Sequence, residues 1–355
     1  MELTRIRLAW LCLALGVSQC GGAPQTGKAA PKSSTGMGKM QNDVLGMDSR
    51  DYFTSPGKNF SEAGYRLANA GQQGLFLGGP DYVAYDKDTR FPVSCLNVAE
   101  RLELRDRTLQ YFGLIAVMDI ATGAFYADHL TEQKFKKVEI DPNASLPPEG
   151  LSFRGTAGDL FERLGIPRRA ADYLVTGILL NRVSNRVKIR VGSEVARVNS
   201  ALFAAEAAEG AKAAAPQYNV LRARRAEREP GSPSLPDAPG INAVIVPPPK
   251  KPFTSLDRLD LYVAYRLPLP PLLPGGKPAT ELSFHILATG TRVPTPIVIR
   301  TTVPILPANQ AADGTMYGFF SLDVNEGHNF EGNQTYSIYL FSGEHLGAVS
   351  KVELP

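Results

Sequence analysis

Four histidines are the side chains best suited to bind a metal or transfer a proton in this 355-residue chain. None belongs to a His-Glu-x-x-His pair or another zinc-binding spacing, and no Gly-x-Ser-x-Gly nucleophile elbow or phosphate-binding glycine loop accompanies them. We therefore expect no catalytic residues, no metal and no cofactor, and we predict that the protein is not an enzyme. The four residues are His129, His285, His328 and His345.

Asp119 is the ionisable residue that we expect to be most unfavourable in free energy where it lies. It interrupts an apolar run from Tyr111 to Ala127, and a buried carboxylate needs either a partner or a raised pKa. A structural ion pair is one interpretation, and a role in handling protons or ions is the alternative. Asp119 is therefore a candidate buried polar site. The arginines considered as its partners are Arg105, Arg107 and Arg182.

Three cysteines offer neither a disulfide framework nor a cysteine-based metal site. Cys12 lies within an apolar segment near the start of the chain, Cys20 follows that segment, and Cys95 stands alone. Of the three, Cys20 has a sequence context that points to a chemical modification.

The first residues have the layout of an export signal. Arg5 and Arg7 precede an apolar run from Leu8 to Val17. About ten apolar residues are too few to span the ~30 Å hydrocarbon layer of a membrane. This pattern is typical of a segment that is removed after export.

The segment VSQC, which ends at Cys20, resembles the lipobox of bacterial lipoproteins. It departs from the lipobox at Gln19, where a small residue is usual. The resemblance implies a signal peptide over residues 1–19 and a lipid on Cys20, which would become the new N-terminus and attach the protein to a membrane. Ordinary cleavage after Ala23 is the alternative, and it would give a soluble periplasmic or secreted protein.

Residues 20–43 are predicted to form a flexible tether. They are rich in Gly, Ala, Ser, Pro and Lys and contain no aromatic residue, so they cannot bury enough apolar surface to offset the entropy of ordering. The remaining length suggests two domains. A formal net charge of +3 argues against nucleic acid as a partner.

Residues 44–228 are predicted to form a mainly helical domain. Asn97 followed by Glu100 is a helix N-cap signature, and the run from Tyr111 to Ala127 is apolar on all sides, as in a buried helix. Six residues beyond it recur every three to four positions, although the local alternation RVKIRV (186–191) also fits a strand. The cluster RARRAER (222–228) is interpreted as a solvated helix end, with contact to an anionic lipid or polyanion as the alternative. The six residues are Val183, Val187, Val191, Val195, Val198 and Leu202.

Residues 229–252 are predicted to be a linker between domains, because they carry eight prolines and proline removes backbone donors and fixes φ. After them, residues 253–355 show short alternating or apolar runs separated by turn residues, which predicts a β-sandwich. The stretch FEGNQTYSIYLFSGEHLGAVSKVEL (330–354) resembles the final hairpin of immunoglobulin-like and fibronectin-type domains, and Tyr336 would match the tyrosine corner of that class.

The predicted fold class is therefore α+β and multidomain, with a mainly α-helical N-terminal domain followed by an Ig-like antiparallel β-sandwich. The expected role is that of a lipid-anchored protein of the bacterial cell envelope, on an outer membrane and facing the periplasm or the cell surface, that binds or scaffolds protein partners. The alternatives are a periplasmic binding protein for a lipid, sugar or peptide, and an envelope enzyme of unidentified class.

Overall fold

Strands dominate the part of the chain that the computed structural model describes. The described residues are Gly64, Leu67 and residues 70–355 apart from 101–112, 130–150, 180–181, 213–215, 217, 226–227, 229, 247, 249–250, 271–277, 291–295, 328–329 and 348. They form eighteen strands in four sheets, which we name sheets A to D.

Sheets A and B belong to the N-terminal half of the chain. Sheet A has the order β1-β3-β6 and sheet B the order β5-β4-β7-β8-β2. All neighbouring strands are antiparallel except β2 and β8, which are parallel. The bounds are β1 (Gly74–Gly78), β2 (Tyr82–Ala84), β3 (Pro92–Glu100), β4 (Gly113–Asp119), β5 (Phe125–His129), β6 (Leu151–Asp159), β7 (Ala171–Leu179) and β8 (Arg182–Gly192).

Sheets C and D belong to the C-terminal half. Sheet C has the order β17-β16-β13-β14-β9, with β18 also paired to β16, and sheet D has the order β10-β15-β12-β11. A 3-10 helix at Pro307–Asn309 joins β14 to β15. The bounds are β9 (Asn219–Val220), β10 (Arg224–Arg225), β11 (Gly240–Ile245), β12 (Asp260–Pro268), β13 (Glu281–Gly290), β14 (Ile297–Pro304), β15 (Thr315–Asp323), β16 (Gln334–Ser342), β17 (His345–Leu346) and β18 (Ser350–Leu354).

The two halves share one strand order. Strands β1, β3 and β6 pair in sequence as β11, β12 and β15 do, and β5-β4-β7-β8 pair as β14-β13-β16-β18 do. In each half these seven equivalent strands form an antiparallel β-sandwich whose chain crosses repeatedly between its two sheets, as in Greek-key sandwiches. The C-terminal β-sandwich that the sequence predicts is present.

Side chains alternate between the two faces of each strand, and this alternation stacks the sheets in the order A, B, C, D. Ile115 and Val117 of β4 face sheet A in one apolar core, whereas Leu114, Ala116 and Met118 face sheet C. Leu287, Tyr339 and Phe341 complete that middle layer from sheet C, and a third core lies between sheets C and D. Sheets B and C are therefore covered on both faces.

The predicted mainly helical N-terminal domain is wrong. Helix α1 (Leu160–Arg163) has four residues and helix α2 (Ser200–Gly210) has eleven, while the other elements described between residues 70 and 228 are strands. The supposed core helix from Tyr111 to Ala127 is the hairpin of β4 and β5 over its described residues. Its apolar character on all sides arises because sheet B is covered on both faces.

The valines read as a helical stripe from residue 183 onward lie mostly in strand β8. Val187 and Val191 are buried there, whereas Val195 and Val198 follow the strand and are exposed. A step of four residues returns to the same face of a strand as well as of a helix. The spacing of these valines therefore does not distinguish a helix from a strand. The alternation RVKIRV (186–191) correctly indicates a strand.

The proline-rich segment 229–252 contains strand β11, an edge strand of sheet D. Proline-flanked strands are tolerated at the edge of a sheet, because the outward backbone N–H groups of an edge strand need no partner strand. Ile241 and Ile245 of β11 are buried in the core of the second sandwich. Whether the chain divides into domains at this segment stays a prediction.

Both sandwiches have a segment that crosses from one sheet to the other. In the first, the chain passes from β1 in sheet A to β2 in sheet B through Gly79. A Cβ atom at Gly79 would lie 2.7 Å from Cδ1 of Ile189, so a larger residue at this close crossing would have to displace the end of the Ile189 side chain. In the second, residues 219–225 pass from β9 in sheet C to β10 in sheet D.

Candidate functional site

The residues that the sequence marks for chemistry do not gather in one place. Cys20 lies outside the described residues, as does His328. His129 ends β5, His285 is buried in β13 and His345 begins β17. Within the described part of the chain, no cluster of three or more His, Cys, Asp or Glu side chains could hold a metal ion.

Asp119 ends strand β4 and is fully buried. Its Oδ1 accepts hydrogen bonds from the backbone N–H groups of Ala121 and Thr122 at 2.9 and 3.1 Å, and its Oδ2 lies 2.6 Å from Nη2 of Arg169. The carboxylate thus closes the turn between β4 and β5 and fixes the segment that leads into β7. It is an ion-paired group within a tight turn.

The ion-pair partner of Asp119 differs from the three arginines that the sequence suggested. Arg182 donates instead to Oδ1 of Asn97 at 3.1 Å, and Arg105 and Arg107 lie outside the described residues. Arg169 was missed because it lies fifty positions away in a loop without periodicity. The arrangement fits a structural role, and a role of Asp119 in handling protons or ions stays untested.

A second polar group, the interlayer cluster, lies between sheets B and C and consists of Phe125, Tyr218, His285 and Arg300. The imidazole of His285 stacks on the ring of Phe125, with centroids 4.9 Å apart and planes 9° apart. The Tyr218 hydroxyl donates to the carbonyl of Phe125 at 2.8 Å and accepts from its N–H at 2.5 Å. The cluster therefore joins a strand of each sandwich to the connecting segment.

Protonation of His285 is strongly disfavoured. Burial, and secondarily the positive charge of Arg300, lowers the pKa of His285 to about 3. Its Nε2 makes no hydrogen bond within the described part of the chain. Nearby, Arg186 of β8 donates to the carbonyl of Glu344 across the layer, and burial together with Arg186 lowers the pKa of His345. Both histidines at the middle layer thus have lowered pKa values.

The outer face of sheet D differs from the other sheet faces in its exposure. The outward residues Phe76, Leu96 and Val98 of sheet A are at most 6% exposed, whereas Val244 and Val246 beside sheet D are each 41% exposed. Three aromatic side chains on the same outer face are half-buried, namely Tyr262, Tyr317 and Phe319.

An open cleft borders this face at strand β10. It is lined by Arg222, Ala223, Arg224 and Glu326. Arg224 lies beside Ser321, which lies beside Tyr262, which lies beside Val244, so one row crosses the whole sheet. We call this row together with the cleft the D face. The sequence interpretation of residues 222–228 as a helix end is wrong at Arg224–Arg225, which form strand β10.

Within the described residues, no helix is long and apolar enough to act as a transmembrane helix. No known protein family matches the sequence. No curated protein matches it either.

Two solved structures have low similarity to the chain. The BSP domain of a biofilm-associated protein is 11% identical, with a TM-score of 0.16, and the match covers 79% of this chain and 29% of that one. The chicken interferon gamma receptor alpha chain is 11% identical, with a TM-score of 0.15, and the match covers 68% of this chain and 84% of that one. At these scores neither similarity carries an argument, and the β-sandwich assignment rests on the strand order itself.

Proposed function

We propose that this chain is a lipid-anchored protein of the bacterial cell envelope that binds or scaffolds other envelope proteins. The proposed anchor is Cys20, on the strength of the export-signal layout and the lipobox-like VSQC before it. The observation that supports a binding role is the D face, which presents arginines without a partner among the described residues next to exposed apolar residues, as protein interfaces do.

The anchor is tested by labelling cells with a radioactive or clickable fatty acid. Label should enter the wild-type protein and disappear in the Cys20→Ser variant, because a thioether-linked lipid needs the cysteine sulfur. Cys95→Ser is the matched control and should keep its label, since Cys95 is buried in β3. Label that persists in Cys20→Ser, or a mature N-terminus at Pro24, would contradict the anchor.

The binding role is tested by mild extraction of membranes followed by affinity purification of the full chain. We expect a protein to co-purify in a fixed ratio after chemical cross-linking in intact cells. Co-purification of a small molecule instead of a protein would favour the alternative of a periplasmic binding protein. Purification of the chain alone, from cells that anchor it normally, would contradict the scaffolding role.

A further inference from the structure

Strand β10 leaves one backbone edge of sheet D open. One side of β10 pairs with β15, and within the described residues no strand occupies the other side. At two other edge strands a side chain occupies part of the outer backbone: the Tyr218 hydroxyl bonds the backbone of Phe125 in β5, and the Ser350 hydroxyl donates to the carbonyl of Ala243 in β11. An open strand edge is a template on which an extended peptide can add as a further strand.

The side chains beside this edge alternate between core and solvent. Leu221 is buried in the core of the second sandwich and Ala223 packs against it, whereas Arg222 and Arg224 are exposed. Residues two apart in an extended segment lie ~6.6 Å apart on the same face. No hydrogen bond or ion pair joins either guanidinium to another described residue. Two arginines that pair with no other described residue therefore lie on one face along the open edge.

From these two observations we infer that the D face binds an extended acidic segment of a partner protein, which adds beside β10 and places acidic residues at alternate positions against Arg222 and Arg224. Alternate residues of an added strand have the same ~6.6 Å spacing as the two arginines, and arginine pairs with carboxylates through two parallel hydrogen bonds. This inference rests on the proposed binding role and specifies the chemistry of the partner.

Glu326 and the exposed valines refine the expected segment. Glu326 lines the same cleft as the arginines and would repel a uniformly acidic chain, which favours a basic residue next to the acidic pair. Val244 and Val246, each 41% exposed, lie at β11, three strands away from β10, so they would contact a part of the partner protein outside the added strand. A free polyanion offers no backbone for β10, so a peptide fits the open edge better.

The test uses the full chain in mild detergent and a fluorescent synthetic peptide, Thr-Val-Glu-Val-Glu-Val-Lys-Thr. Its partner peptide has the same composition with the two glutamates adjacent, which puts their carboxylates on opposite faces of a strand. We expect the alternating peptide to bind at least tenfold more tightly than the adjacent one. Equal binding of the two peptides, or displacement of both by alginate at equal concentration, would mean contact with any polyanion and would overturn the inference.

Variants of the arginines supply the second arm of the test. Arg222→Glu with Arg224→Glu should weaken binding of the alternating peptide more than tenfold and should create binding to the same peptide with lysines in place of its glutamates. Lys212→Glu with Lys351→Glu is the matched control, because it changes net charge equally at exposed positions away from the cleft. Unchanged binding in the arginine variant would overturn the inference.

A cellular measurement separates this inference from the proposed function. A photo-cross-linking residue at Val244 should capture a protein in wild-type cells and lose it in the Arg222→Glu, Arg224→Glu variant, whereas the same probe at Val198 of the first sandwich should capture none. Cross-links that persist in the arginine variant would refute the inference and leave the scaffolding role standing. If the peptide binds in solution but no envelope protein is captured in cells, the scaffolding role fails.

Discussion

The two sandwiches use different devices at the same point of a shared strand order. In the first, Asp119 lies opposite Tyr173, the third residue of β7, and is paired with Arg169 just before that strand. In the second, Gly290 lies opposite Tyr336, the third residue of β16. A side chain at Gly290 would have to displace the end of the Gln334 side chain, because its Cβ would lie 2.4 Å from Oε1 of Gln334.

The tyrosines at this point also differ. The Tyr336 hydroxyl accepts a hydrogen bond from the N–H of Glu331 at 2.9 Å, which is the tyrosine-corner arrangement that the sequence predicts. The Tyr173 hydroxyl has no partner within the described part of the chain. The second sandwich thus fixes the approach to its strand with a neutral hydrogen bond, and the first does so with a buried ion pair.

This difference shows that one topology can be closed by chemistries of very different cost. A buried ion pair contributes little net stability when it is intact, yet it is strongly destabilising when one member is removed. A tyrosine corner carries no charge and loses only one hydrogen bond when it is broken. The ion pair and the tyrosine corner occupy equivalent positions, and we expect their loss to cost different amounts of folding free energy.

The largest effect is expected from Asp119→Ala. It leaves the Arg169 guanidinium buried without its partner and should lower the free energy of unfolding by about 3–5 kcal/mol, measured by urea denaturation followed by circular dichroism. Asp119→Asn keeps the shape and part of the hydrogen bonding, so its loss should be smaller. Both variants folding like the wild type while partner binding disappears would show that Asp119 acts in function rather than in the turn.

A pH effect at the middle layer should come next in size. Because His285 is neutral in the folded state and its pKa is near 3 there, only the unfolded state binds this proton between about pH 6.5 and pH 3. Stability should therefore fall as the pH is lowered through this window, by about 2 kcal/mol between pH 6.5 and pH 5. The measurement is the pH dependence of unfolding free energy in wild type and in His285→Phe, which should lack this contribution.

His345→Gln provides the control for that measurement. It removes the second histidine of the middle layer, whose pKa is also lowered, and should leave the difference between wild type and His285→Phe in place. Because the middle layer belongs to both sandwiches, probes in each should report the same loss. If His285→Phe has the same pH dependence as the wild type, His285 is accessible to protons and the layer is looser than described.

The smallest effect, and the sharpest comparison, comes from removing one hydroxyl in each sandwich. Tyr336→Phe deprives the Glu331 N–H of its acceptor and should cost about 1 kcal/mol. Tyr173→Phe removes a hydroxyl without a partner and should leave the melting temperature unchanged or slightly raised. Equal losses in the two variants would show that Tyr173 also has a partner and that the two corners are alike.

The sequence predicted the second sandwich and failed on the first for a physical reason. The hairpin of β4 and β5 turns at Asp119 through Gly123, and its turn is closed by the Asp119 carboxylate and by a positive φ of 69° at Gly123. These few polar residues are too weak a turn signal within an apolar run that continues on both sides of them. Since sheet B is covered on both faces, its strands lack the alternation that identifies a half-buried strand.

The candidate site was predictable only in part. Asp119 could be recognised because a single carboxylate in an apolar run must be compensated if it is buried, and the structure buries it. Its partner, the position of His285 against Phe125 and the exposure of Arg222 and Arg224 depend on pairing between distant segments, which composition and local periodicity do not contain.

The middle layer limits how such a chain could be extended or recombined. Tandem sandwiches joined end to end behave as beads that can be duplicated, deleted or exchanged one at a time. Here each sandwich supplies half of a shared interior, because Leu114 and Met118 of one meet Leu287 and Phe341 of the other. Removing either sandwich would expose that interior to water and to other chains. We therefore expect neither sandwich to be stable when it is produced without the other.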